Sequence, residues 1–197
     1  MKSLLFALSL GFALSPSVAQ SETLLIDTAR SHAAFELRAL WIKRIGGDFA
    51  RVEGVIERDR GRGRFGVDVR IEAASVRMEK PAHAEWARGA DFFAAQQHPW
   101  IQFRAEDLPE RLLQEGGEIR GLLSLRGTRR RVAFQVAPAT CPRAGLDCPV
   151  SAVGAVERSA FGMDARRLVL GDRVQLSFSI RAHEGGARLH DRDATLP

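Results

Sequence analysis

The sequence predicts an all-β domain of seven or eight antiparallel strands with one short helical insert, arranged as an up-and-down barrel or a sandwich. Three observations predict it. Apolar residues recur with a period of two in one segment after another, glycine-containing turns divide the segments, and only residues 81–97 break the alternation with helical spacing.

Taken in order, Ala33, Phe35, Leu37, Ala39 and Trp41 share one face, opposite Glu36 and Arg38. The Gly46-Gly47 and Gly61-Arg62-Gly63 turns follow, and then Phe65, Val67, Val69, Ile71 and Ala73 alternate with Gly66, Asp68, Arg70 and Glu72. Pro81 suits a first helical turn. The stretch to Gln97 is rich in Ala and Glu, with Trp86, Phe92 and Phe93 at helical spacing, and reads as one or two short helices. Ile101 and Phe103 give a shorter strand, Gly116-Gly117 a turn, and Val132, Phe134 and Val136 another strand. Val174, Leu176, Phe178 and Ile180 close the set, alternating with Arg173, Gln175, Ser177, Ser179 and Arg181. Such alternation belongs to strands with one buried and one wet face.

At 197 residues, 45% apolar and 27% charged, the chain has the composition of one soluble domain, which excludes generic disorder, collagen-like sequence and a polytopic membrane protein. The net charge is +5 and the pI about 10.2. Arginines make up 26 of the 29 cationic residues and mix with Asp and Glu along the chain. This reads as a solvated basic surface, with attraction to anionic head groups or membranes as the second reading. Lys2, the apolar run Leu4 to Leu14, Pro16 and Ser17-Val18-Ala19 have the order of a secretory signal peptide cleaved after Ala19. The expected organisation is a signal peptide over 1–19, one β domain over 20–184 and a loose, polar tail over 185–197. The expected compartment is the periplasm.

In an oxidising compartment Cys141 and Cys148 read first as a structural disulfide, ahead of a redox pair or half a metal site. The histidines His32, His83, His98, His183 and His190 lack metal-ligand spacing, and no nucleophile elbow, phosphate loop or dinucleotide fingerprint is present. No enzyme activity, metal, cofactor or nucleic-acid partner is therefore expected, and Arg129-Arg130-Arg131 reads as a solvated turn.

Four segments together resemble the YceI-like family of exported, lipocalin-like proteins. The first is Ile26-Asp27 with Ser31 and Phe35, continuing to Gly47-Asp48-Phe49 and Val52-Glu53-Gly54. The second is Ala74-Ser75-Val76 with Arg88-Gly89-Ala90-Asp91-Phe92-Phe93 and His98-Pro99-Trp100-Ile101-Gln102-Phe103. The third is Gly121-Leu122-Leu123-Ser124-Leu125-Arg126-Gly127-Thr128, and the fourth Arg158-Ser159-Ala160-Phe161-Gly162-Met163 ahead of Gly171-Asp172-Arg173-Val174. Their order and spacing agree from about residue 24 to residue 183. Trp86 and Arg126 stand where the family pattern carries histidines, and the cysteine loop has no counterpart in it.

The resemblance implies an extended antiparallel lipocalin-like β-barrel of about eight strands, whose apolar interior holds a polyisoprenoid, isoprenoid quinone or similar lipid. The expected role is transport, storage or sequestration, by a monomer or homodimer. Candidate wall residues are Phe35, Leu37 and Trp41; Phe65, Val67 and Val69; Phe92 and Phe93; Ile101 and Phe103; Phe134; Phe161 and Met163; and Phe178. Candidate polar contacts to a head group are His32, Arg88, Asp91 and Arg158. The same apolar faces could equally form a filled core. A filled barrel acting through contact with a membrane or a redox partner is the alternative reading, and a lipid-acting enzyme a third.

Overall fold

The chain is built from twelve strand segments joined into one antiparallel sheet, in a computed structural model that describes residues 21–40 and 42–185. In chain order these are β1 (Ser21–Ile26), β2 (His32–Ala39), β3 (Lys43–Phe49), β4 (Val52–Asp59), β5 (Arg64–Glu72), β6 (Val76–Met78), β7 (Trp100–Pro109), β8 (Gly117–Leu125), β9 (Thr128–Val136), β10 (Val150–Glu157), β11 (Leu170–Ile180) and β12 (Ala182–Glu184). Helix α1 (Pro81–Arg88) stands between β6 and β7, and α2 (Leu112–Glu115) between β7 and β8.

The segments reduce to eight paths, because four pairs are continuous across short breaks. β1 and β2 both pair with the β11–β12 path, β4 pairs with β1 while β3 pairs with β2, and β5 and β6 pair with β4 and β3. Only Arg181 separates β11 from β12, and only residues 73–75 separate β5 from β6, so each end of the strand order, β12 and β6, continues a strand from inside it and the sheet curls into a barrel.

Two serines mend the breaks. The Ser31 hydroxyl donates to the Arg181 carbonyl and accepts from the Arg181 N–H, both at 3.0 Å, while the Asp27 N–H reaches the same carbonyl at 2.9 Å. Ser75 does the same on the other side: its carbonyl accepts from Ala50 at 3.1 Å and its hydroxyl from the Arg51 N–H at 3.2 Å. A side-chain oxygen thus supplies the ladder partner that the bent backbone cannot.

Cys141 and Cys148 form a disulfide with Cα atoms 5.9 Å apart. The loop they close lies over the end of the barrel next to α2. Gln114 donates to the Pro142 carbonyl at 2.8 Å, Ala182 N–H to the Gly145 carbonyl at 2.7 Å, and Arg181 to the Asp147 carbonyl at 3.0 Å. On the chain-entropy model this closure contributes about 2–3 kcal/mol. No helix among the described residues is long and apolar enough to cross a membrane.

Candidate functional site

Among the described residues, the alternating faces read from the sequence turn inward, and they do not fill the barrel. They enclose a cavity of about 120 Å³, where a single water needs roughly 10–15 Å³. The cavity is a channel: it meets β5 at both Phe65 and Ile71, about 20 Å apart along the strand. All 28 lining residues are apolar, and eight of them are phenylalanines.

What keeps the channel open is where the rings lie. A Cβ on Gly121 would sit 2.5 Å from the Phe103 ring, and one on Gly154 would sit 2.4 Å from the Phe134 ring. Each phenylalanine therefore lies sideways over a bare backbone position on the next strand instead of projecting to the axis. Phe103, Phe134 and Phe178 then meet edge to face, with centroids 5.0 and 5.1 Å apart, as a ribbon along the wall.

A second aromatic group closes one end. Phe92 and Phe93, in the turns after α1, pack edge to face at 4.6 Å, and Phe93 reaches Phe35 at 5.5 Å and Phe49 at 5.4 Å. Trp86 of α1 lies on Phe92 at 5.1 Å, with its buried indole N–H lacking an acceptor among the described residues. At the opposite end Leu112 and Leu113 of α2 line the channel beneath the disulfide loop. The leucines have no periodicity to betray them in sequence, since α2 is a single turn.

Of the wall candidates, Phe35, Phe65, Val67, Val69, Phe92, Phe93, Ile101, Phe103, Phe134, Met163 and Phe178 line the cavity. Leu37 and Phe161 do not; both are buried in the packed core around it. Trp41 lies outside the described residues. The structure adds Phe49, Leu123 and Leu125, the last two from the Gly121–Leu125 alternation, in which Leu122 points to solvent.

None of the four polar candidates lines the channel, which corrects their expected role. His32 is exposed at the start of β2, and Asp91 is exposed in the turn after α1. Arg88 holds α1 against the sheet by donating to the carbonyls of Ala74 at 2.9 Å and Val76 at 2.8 Å. Arg158 is 1% exposed and spends its guanidinium on the carbonyls of Met163, Ala165, Leu170 and Gly171. Burial pushes its pKa down, against the pull of Asp172 and Asp164. Arg126, at the second position where a histidine was expected from the resemblance, donates to the Gly162 carbonyl.

A family model described as the YceI-like domain matches residues 25–182, the whole span of the barrel from β1 into β12. The chain belongs to the YceI-like family. Solved structures share the fold. BcnA from Burkholderia cenocepacia matches with a TM-score of 0.64 at 18% identity, covering 79% of this chain and 98% of that one. A polyisoprenoid-binding domain from Saccharophagus degradans, implicated in plant cell wall breakdown, matches with a TM-score of 0.64 at 12% identity, over 84% and 100%. A Campylobacter jejuni YceI protein matches with a TM-score of 0.57 at 22% identity, over 75% and 90%. No curated protein sequence matches this one significantly. In this YceI-like chain Trp86 sets an indole against Phe92, and Arg126 sets a guanidinium on the Gly162 carbonyl.

Proposed function

We propose that the protein is a periplasmic carrier or sequestering protein for a long isoprenoid-like amphiphile and performs no chemistry of its own. The observation that carries this reading is the hollow channel with an all-apolar wall. Water gains no hydrogen bond there, whereas each buried CH₂ of a lipid chain contributes about 0.8 kcal/mol. The isoprenoid class is supported by the likeness to the polyisoprenoid-binding domain and by the edge-to-face phenylalanine ribbon, which offers a continuous apolar surface to a branched chain. Periplasmic residence is supported by the disulfide and by the order of residues 1–19.

The wall supplies no acid, base or nucleophile to a bound chain, since every lining side chain is a hydrocarbon or the thioether of Met163. The buried indole N–H of Trp86, next to the phenylalanine plug, is the donor available to a head-group oxygen at that end. Native mass spectrometry of the delipidated protein titrated with a long-chain isoprenoid quinone tests the reading. One quinone per chain is the expected result, and no mass gain at any quinone concentration would refute it.

A further inference from the structure

The end of the barrel closed by α1 carries an apolar patch that the fold does not use. Leu40 and Ile42, at the tip of the hairpin between β2 and β3, are 60% and 89% exposed. Leu168 and Val169, in the loop entering β11, are 91% and 42% exposed. One surface unites them, because the Leu40 N–H donates to the Val169 carbonyl at 2.7 Å.

Neither segment is built as its backbone would prefer. Leu40 has φ 49° and Arg166 φ 56°, in the left-handed region where glycine or asparagine is the usual occupant. Asn, Asp and Gly are the residues such hairpin turns favour, whereas Leu40 and Ile42 stand here. Four apolar side chains held in water, one of them on left-handed backbone, point to a function outside the fold.

The charges around the patch say what it meets. Within 36–44 and 164–169 stand Arg38, Lys43, Arg44, Arg166 and Arg167, against only Glu36 and Asp164. Arg44 pairs with Glu36 at 3.2 Å and Arg167 with Asp164, leaving three cations in excess. A second copy of this chain would bring the same excess face to face, so like-charge repulsion disfavours a homodimer through the patch. Exposed leucine-type side chains beside unpaired cations match an anionic bilayer surface instead.

The patch also adjoins the channel. Arg166 lies over the Trp86 ring at 5.5 Å, Trp86 lies on Phe92 at 5.1 Å, and Phe92 lines the cavity. Met163, just before the loop, lines it too, and Arg158 fixes the loop between them by its carbonyl contacts.

We propose that this patch is a membrane-docking face. Leu40, Ile42, Leu168 and Val169 enter the head-group region of an anionic bilayer, and Arg38, Lys43 and Arg166 lie against lipid phosphates. Docking presents the α1 end of the barrel to the membrane for loading or delivery. The purpose of docking rests on the carrier reading; its geometry does not.

The test is co-sedimentation with vesicles of phosphatidylcholine alone and with about one third phosphatidylglycerol, at low salt and at about 0.5 M NaCl. The protein is expected to bind the anionic vesicles at low salt, and about tenfold more weakly at high salt or on phosphatidylcholine. Ile42→Ser with Leu168→Ser should weaken anionic binding by about tenfold, and Lys43→Glu should reduce its salt dependence. Val153→Ser, an exposed apolar change on the barrel side, should bind as the unaltered protein does. Equal binding by the Ile42/Leu168 variant and the unaltered protein overturns the proposal. So does a dimer that this double substitution dissociates, without vesicle binding. Quinone uptake from detergent solution, read by native mass spectrometry, separates the two readings. Uptake retained by the Ile42/Leu168 variant, with docking lost, supports docking; docking without any uptake leaves docking standing and removes the carrier.

Discussion

Replacing Ala152 by phenylalanine is expected to abolish uptake of a long isoprenoid chain, whereas the same change at Val153 leaves uptake intact. The two residues are neighbours on β10 and face opposite ways. Ala152 stands opposite Val136 and Phe178 and lines the channel, while Val153 is 47% exposed. A ring at 152 would project beside the Phe134–Phe178 pair, where the chain must pass. Excluding even one five-carbon unit removes roughly 4 kcal/mol of apolar burial, so affinity should fall by about a thousandfold. The added ring enters existing space, so both variants should unfold near the temperature of the unaltered protein. Quinone titrations read by native mass provide the comparison. Ordinary uptake by Ala152→Phe would place the ligand somewhere other than the channel.

Arg158→Met is expected to be the most destabilising single change in the barrel. It would strand the buried carbonyls of Met163 and Leu170, leave the half-buried ones of Ala165 and Gly171 without their donor, and remove the cation that organises the loop carrying Leu168 and Val169. Each stranded group costs about 1–3 kcal/mol, and losses of this type sum to roughly 4 kcal/mol after relaxation. In a domain of this size that lowers the unfolding midpoint by about 10 °C. Arg158→Lys should recover only part, because a single ammonium cannot serve four carbonyls in the guanidinium's plane. Thermal and urea unfolding measure both variants, and an unfolding midpoint for Arg158→Met close to that of the unaltered protein would contradict the role assigned to the guanidinium.

The barrel was legible because period two leaves little freedom: Phe65 to Ile71 and Val174 to Ile180 can bury their apolar side chains only on one face of a strand. The cysteine pairing was legible for a similar reason, since two thiols seven residues apart, with no second pair or histidine pair nearby, have few other fates in an oxidising compartment. Whether the barrel was filled or hollow was not. That depends on Gly121 and Gly154, which give Phe103 and Phe134 somewhere to lie, and a glycine inside a strand signals this only once its cross-strand partner is known. The polar candidates misled because a charge in a family-like motif carries no sign of its partners. Arg88 and Arg158 are bound to main-chain carbonyls, which no side-chain pattern records. The hairpin between β2 and β3 was not legible either: nothing in the alternation marks Leu40 and Ile42 as standing in solvent beyond the end of β2.

The most direct measurement is the native mass of the protein, purified without detergent and then extracted with solvent for lipid identification. The carrier account predicts a discrete added mass that extracts as a polyprenyl compound or isoprenoid quinone, and that is missing when Ala152→Phe is purified in the same way. A bare polypeptide mass from the unaltered protein, unchanged after incubation with such lipids, would contradict it.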